Sequence, residues 1–227
     1  SQPPFSSYSG AGEGSTSLIL PAVMHNWYGY YTEFFIQNVG GADATNVDIE
    51  YLPTTYAGCL AGRPGQSDLN LTVKQYAGLN VSQLSKTNLG AIGLTGSCVG
   101  YNGRFIGAAK ITADQPLVVV ANEHAQGKLF TYNAQSDGAT SVLLPAYMRN
   151  YYGYYAALVI ANPGTIDATV AVTFTNGGLA NSPVGKGVVR GDYMVPGGES
   201  ITIYDGPTGN DTALAAAGYT YGSPYSF

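Results

Sequence analysis

The chain has 227 residues, 45% of them hydrophobic, only 10% charged, and a formal net charge of −5. Ample apolar material excludes a disordered chain, and nine Lys and Arg spread along the sequence offer no basic patch for nucleic acid. No apolar run approaches the ~18 residues of a membrane-spanning helix, so no span is expected.

Residues 1–16 are rich in Ser, Gly and Pro and read as an extended arm. Ser1-Gln2-Pro3-Pro4 has neither a basic nor an apolar leader character and reads as a mature terminus. Leu18-Ile19-Leu20 is a short apolar run that Pro21 is expected to end, and Phe34-Phe35-Ile36 gives way to a turn at Asn38-Val39-Gly40-Gly41. Val47, Ile49 and Tyr51 alternate with Asp48 and Glu50, the pattern of a strand with one wet face. Leu69, Leu71 and Val73 alternate in the same way, as do Leu79 and Val81. Phe105-Ile106 with Ala108 and Ile111 marks a further strand. Leu117-Val118-Val119-Val120 reads as a separate central strand buried on both faces. Leu129 to Tyr132 follows. Beyond it, Leu158 to Ile160 stops at Asn162-Pro163-Gly164, and Val170, Val172 and Phe174 alternate as Val47, Ile49 and Tyr51 do, after a one-residue deletion. Met194-Val195 leads into the turn Pro196-Gly197-Gly198, and Ile201 alternates with Ile203. Ala213 to Ala217 is the one helix-like stretch, too short to define the fold.

The chain repeats itself. Residues 8–45 align without a gap onto residues 132–169, 124 positions later, with 19 of 38 residues identical. A period that long is a domain used twice rather than a solenoid unit. The expectation is an all-β chain of two tandem antiparallel Ig-like β-sandwich domains at 17–135 and 136–227, behind an arm at 1–16. The copies are unequal. From Ser17 to Tyr132 is 116 residues, whereas from Ser141 onward there are 87, so Phe227 aligns near Phe105. The shorter copy therefore has no counterpart for residues 104–129 in this sequence. It is a smaller variant, it continues past Phe227, or it is completed by a strand from another chain.

The pattern I-x-N-x-G-x-x-D-A-T is written here from Ile36-Gln37-Asn38 and again from Ile160-Ala161-Asn162. With LP-x-x-M-x-N-x-YGYY and DQPLVVVANE at 114–123, it resembles tandem repeats of about 125 residues, Ig-like, in uncharacterised secreted and cell-surface proteins of bacteria. That resemblance covers nearly the whole chain. It implies a β-sandwich, an extracellular location and a structural or adhesive role, and it brings no catalytic residues.

Asn26-Trp27-Tyr28-Gly29-Tyr30-Tyr31 and Asn150-Tyr151-Tyr152-Gly153-Tyr154-Tyr155 are the loudest local motifs. Their rings either cover a core edge or a domain interface, or stack on sugars as a glycan platform; the first reading is favoured. Cys59 and Cys98 sit in Gly-rich stretches and are expected to pair, which fits an oxidising compartment. Asn70, Asn80 and Asn210 head N-glycosylation triplets, and Ser6, Ser7, Ser9, Ser15 and Thr16 could carry O-linked sugars, as in a glycoprotein. Asp205 to Asp211 reads as a turn before it reads as a calcium loop. Glu123-His124 has no visible partner for acid–base or metal chemistry, and Asp43 and Asp167 are expected to bond their own turns. No catalytic motif, metal site or cofactor is expected.

The weakly charged Tyr- and Gly-rich surface, the arm and the unequal copies point to self-assembly outside the cell or at its surface, as a homopolymer. Phe5 to Tyr8 aligns with Leu129 to Tyr132, so a head-to-tail polymer could reuse the internal join at every subunit junction and grow as a filament. The alternative is an adhesion or carbohydrate-binding module that uses the Tyr-rich motifs.

Overall fold

The computed structural model describes residues 13–56, 58–86, 88–136, 138–144, 147–151, 154–175, 188–204, 216 and 225–226. They are mostly β. The first copy contains β1 (Ser15–His25), β2 (Tyr31–Asn38), β3 (Ala44–Tyr56), β4 (Cys59–Ala61), β5 (Ser67–Val73), β6 (Gly78–Ser82), β7 (Phe105–Ala125) and β8 (Lys128–Asn133). The second contains β9 (Met148–Tyr151), β10 (Tyr154–Tyr155), β11 (Ala157–Asn162), β12 (Ala168–Thr175), β13 (Val188–Val195), β14 (Glu199–Tyr204) and β15 (Tyr225–Ser226). Ten of these strands join in one curled sheet, in the order β11-β14-β3-β7-β2-β6 with β1 and β8 on β7 and β4 and β5 on β3.

β7 organises the first copy. The two segments that read as separate strands are one strand of 21 residues. Its first half pairs with β1 and β3, Ile111 lying opposite both Leu18 and Ile49. Its second half pairs with β2 and β8, Val120 lying opposite both Phe35 and Asn133. The changeover falls at Pro116, whose missing N–H suits a point where the ladder changes partners. Leu117, Val119 and Ala121 face the core. Val118 and Val120 do not: with Phe35, Gln37, Asn80 and Asn122 they line an open depression of ≈ 670 Å³ on the outer face. The β-branched run is thus central but buried on one face only, because nothing among the described residues covers the other.

Two further expectations fail for local reasons. Pro21 does not end β1; it sits at a register shift between Leu20 and Val23, where no ladder N–H is required. Leu69 faces solvent because Asn70, at φ 55, makes β5 irregular and turns its neighbour outward. The strand Val47-Ile49-Tyr51 behaves as its alternation requires, all three side chains being buried.

The copies share their ladder logic. Ala44 pairs with Val73 and Ala168 with Val195, while Val47 pairs with Leu71 and Val170 with Tyr193. The register shift between Ala44 and Val47 is the structural counterpart of the one-residue deletion in the second copy. Asp114 fixes that bulge, accepting from Thr45 N at 3.1 Å and Thr45 Oγ1 at 2.8 Å. The copies also touch: β14 runs parallel to the end of β3, Ser200 opposite Thr54 and Ile201 opposite Thr55.

Candidate functional site

The YGYY motif is a hairpin turn. Trp27 N donates to Tyr30 O at 3.2 Å and Tyr30 N to Trp27 O at 2.9 Å, closing a loop in which Tyr28 has φ 49 and Gly29 φ 83. Positive φ at both central residues defines the type I′ turn that matches strand twist. The second copy has the same pairing, Tyr151 opposite Tyr154. Trp27 points inward and is 6% exposed. Its ring stacks on Tyr101 at 5.3 Å, and Tyr56 meets Trp27 and Tyr101 edge-on at 5.4 and 5.9 Å. Cys59 and Cys98 are disulfide-bonded, which ties β4 to the 3-10 turn Gly96–Tyr101 and holds Tyr101 against Trp27. Tyr101 belongs to this cluster through a bond between distant residues, so no local motif marks it.

Tyr28 is the exposed ring of the set, 61% accessible, with the Arg104 guanidinium 4.8 Å above it. Tyr30 receives Lys128 at 5.6 Å, and Tyr31 stacks on His124 at 6.3 Å with His25 against its edge at 5.7 Å. Tyr155 is half-buried. For Tyr151 and Tyr154 the description extends to strand pairing alone, and Tyr152, Phe5, Tyr8, Asn210 and the Asp205–Asp211 stretch lie outside the described residues. Asn70 and Asn80 are exposed, the latter directly across from Phe35.

Asp43 and Asp167 bond across strands rather than to their own turns: Asp43 Oδ1 accepts from Gln75 N at 2.9 Å and Asp167 Oδ1 from Gly197 N at 3.0 Å. Glu123 is 8% exposed, and burial raises its carboxyl to about 7, the nearby Tyr132 phenol offsetting part of that. A polar chain that no motif announced runs through one end of the first copy. His25 Nδ1 donates to Gln83 O at 2.6 Å, Gln83 Nε2 donates to the Tyr51 hydroxyl at 3.1 Å, and Tyr51 donates to Asp68 at 2.8 Å. Asp68 in turn pairs with Lys86. The chain ties β1, β3 and β5 to the 3-10 turn after β6. It is fixing structure, since each of its links is a bond between elements and none converges on an open cavity.

The described parts of the two copies differ in how they are enclosed. The first buries a core of eighteen residues, six of them from β7: Phe105, Ala109, Ile111, Leu117, Val119 and Ala121. Among the described residues, the corresponding cluster in the second copy has three buried members, Tyr147, Phe174 and Val189. β2 is enclosed between β6 and β7. Its counterpart β11 pairs with β14 on one side and, among the described residues, with no strand on the other. Leu18 and Leu20 are 5% and 0% exposed in β1, whereas their counterparts Val142 and Leu144 are 72% and 51% exposed, with Leu143 between them at 89%. A contiguous apolar run in solvent is the kind of patch that marks an interaction surface.

No protein-family model, curated protein or solved structure matches the chain. Among the described residues no cluster of His, Cys, Asp and Glu could hold a metal ion, and no helix is long and apolar enough to cross a membrane.

Proposed function

We propose that the chain is a structural subunit of an extracellular assembly, a filament or a surface layer, built by head-to-tail or strand-addition contacts between copies of itself. The observation that carries this reading is the exposed run Val142-Leu143-Leu144, in a copy whose twin buries Leu18 and Leu20 at the first and last of these positions, together with β11, which among the described residues pairs on one side only. On this reading the copies are tandem Ig-like β-sandwiches, the second completed by another chain, in keeping with the resemblance to repeats of secreted bacterial proteins. The disulfide supports an oxidising, extracellular setting. A chain with 10% charged residues has little repulsion to keep copies apart. Electron microscopy of native material, with sedimentation of the purified chain across concentration, tests the proposal. Regular polymers are expected. A chain that stays monomeric at high concentration with both copies folded refutes it.

A second reading, a carbohydrate-binding module, draws on the outer depression. There the Phe35 ring lies among the amides of Gln37, Asn80 and Asn122, an apolar face with neutral hydrogen-bonding groups around it. Glycan-array binding that Phe35→Ala removes would favour it over assembly.

A further inference from the structure

We infer that Asn80 is a modification site, carrying an N-linked glycan that lies across the outer face of the first copy with its attachment sugar on the Phe35 ring. The inference stands independently of the assembly reading. It concerns the depression that the carbohydrate-binding reading also uses, and assigns that place to the chain's own sugar.

Three triplets of the form N-x-S/T occur, at Asn70, Asn80 and Asn210. Asn210 lies outside the described residues. Asn70 is exposed in the irregular part of β5, at φ 55, and its N–H donates to Asp48. The facing residues of β3 are Val47, Asp48 and Ile49, none of them aromatic. Asn80 is different. It is exposed in the middle of β6 and pairs directly with Phe35 of β2. Residues paired in this way have Cβ atoms about 5 Å apart. A sugar on the Asn80 amide therefore reaches the Phe35 ring with no change of backbone.

The surroundings fit that sugar. Strand alternation puts Gly78 and Ser82 on the same face as Asn80, so small residues flank it along β6. A Cβ at Gly78 would meet nothing closer than the Ile36 carbonyl oxygen at 3.6 Å, so the space beside Asn80 is open. Beyond Phe35 the ladder continues to Val120, and Val118 and Val120 extend the apolar floor. Gln37 and Asn122 line the same depression and bring amides to bond sugar hydroxyls. Phe35 is 43% exposed. A pyranose lays its C–H face on such a ring and keeps its hydroxyls on amides or in water. Among the described residues β6 pairs with β2 alone, so the rest of the glycan runs outward past the sheet margin. It would also close that edge to pairing with another strand.

The donor is a polyisoprenyl-diphosphate-linked oligosaccharide, used by a transferase of the host. The Asn80 amide nitrogen attacks the anomeric carbon, forming the N–C bond. The C–O bond to the diphosphate breaks, the lipid diphosphate leaves with the electron pair, and the amide gives up one proton to a base of the transferase. The Ser82 hydroxyl is the part of the triplet that marks Asn80 for this step.

The test maps the native chain by mass spectrometry and compares variants made in the same host. Cleavage after Lys74 and Lys86 releases residues 75–86, which hold Asn80 and no other triplet. That peptide is expected to carry a sugar mass on Asn80, which Ser82→Thr keeps and Asn80→Gln loses. Contact with the ring is read separately, by urea unfolding of the native chain, Phe35→Ala, Asn80→Gln and the double variant. Loss of the ring should lower the folding equilibrium constant roughly threefold more in the glycosylated chain than in the Asn80→Gln background. Phe35→Tyr, which keeps a ring, should match the native chain. A bare Asn80 in the native chain overturns the inference. Additive losses in the four-protein comparison overturn it even with the sugar attached. A bare Asn80 with glycan-array binding that depends on Phe35 would give the depression to the carbohydrate-binding reading instead.

Discussion

Asn38 and Asn162 stand at matching positions of the two copies and make the same three hydrogen bonds. Asn38 Nδ2 donates to the carbonyls of Ala42 at 2.8 Å and Val73 at 3.0 Å, and its Oδ1 accepts from Gly40 N at 2.8 Å. Asn162 repeats this with Ile166 at 2.8 Å, Val195 at 3.1 Å and Gly164 N at 3.1 Å. Each amide closes the turn after its strand and pins it to a further strand, β5 through Val73 and β13 through Val195. Asn38 is fully buried and Asn162 half-buried. Asn38→Ala should therefore cost about 3 kcal/mol and Asn162→Ala about 1 kcal/mol, because water can replace lost bonds only where it reaches. Urea denaturation of the two variants measures the difference. Equal losses would mean that the second copy is as well enclosed as the first.

The junction between the copies makes a second prediction. Thr54 Oγ1 and Ser200 Oγ are 2.7 Å apart and both residues are fully buried, while Thr55 Oγ1 donates to Glu199 at 3.1 Å. Ser200→Ala removes the partner of a buried hydroxyl and should cost about 1–3 kcal/mol. Thr54→Val combined with Ser200→Ala removes both hydroxyls and should cost less than the sum of the single changes, by about 1 kcal/mol. Additive losses in that double-mutant cycle would show that the two hydroxyls do not support each other.

How much of this was legible in the sequence depends on the range of the interaction. The alternation of Val47, Ile49 and Tyr51 and the turn after Asn38 are local, and both read directly. The deletion before Val170 was visible, but its meaning as the loss of a bulge needed the ladder. Pro21 and Asn70 misled because each acts through a bulge, which periodicity cannot register. Leu117 to Val120 looked doubly buried because β-branched residues suit either face of a central strand, and composition does not say whether anything lies above it. Tyr101 beside Trp27, Gln83 beneath Tyr51 and Ser200 on Thr54 are long-range pairings with no local signature.

Tyr76 and Gly198 occupy the same place in the turns that link β5 to β6 and β13 to β14, with φ 57 and 72. Ala77 N bonds to Lys74 O at 2.9 Å and Glu199 N to Pro196 O at 3.2 Å, so the turns are alike. Glycine takes this conformation freely, whereas tyrosine is strained by roughly 1 kcal/mol or more. The Tyr76 side chain is 70% exposed and loses little packing when removed. Tyr76→Gly should thus raise the unfolding midpoint, and Gly198→Tyr should lower it. A fall in the midpoint of Tyr76→Gly would reveal packing that outweighs the strain.

The disulfide closes a loop of 39 residues in sequence separation. In the loop-entropy model its loss costs about 4 kcal/mol. It also frees the turn that holds Tyr101 on Trp27. Cys59→Ser with Cys98→Ser should destabilise by at least that amount and quench the near-ultraviolet circular dichroism of the Trp27 cluster. A variant that keeps the aromatic signal would separate the entropic effect from the positioning of Tyr101.

Glu123 sets a pH dependence whose sign can be worked out. Its carboxyl rises from an ordinary 4.5 to about 7 when the chain folds, because burial disfavours the charge. Between those values the folded chain binds more protons than the unfolded one, so stability falls as pH rises. The contribution is fully present below about 4.5 and is lost as pH passes 7, a change of about 3 kcal/mol for a shift of this size. Asp43 and Asp114 act in the opposite sense, their carboxyls being held down by hydrogen bonds from Lys74 and Thr45 respectively. That pair acts in acid, below the window of Glu123. Raising the pH from 5 to 8 should therefore lower the melting temperature of the native chain by several degrees, while Glu123→Gln, neutral throughout, should remove most of that fall. The join between the copies begins at β8, which pairs with this part of β7, and Phe130 lies directly opposite Glu123. Loss of the charge should accordingly slow hydrogen exchange across β8 at pH 8. A melting temperature that falls equally in both proteins would place the pH dependence elsewhere.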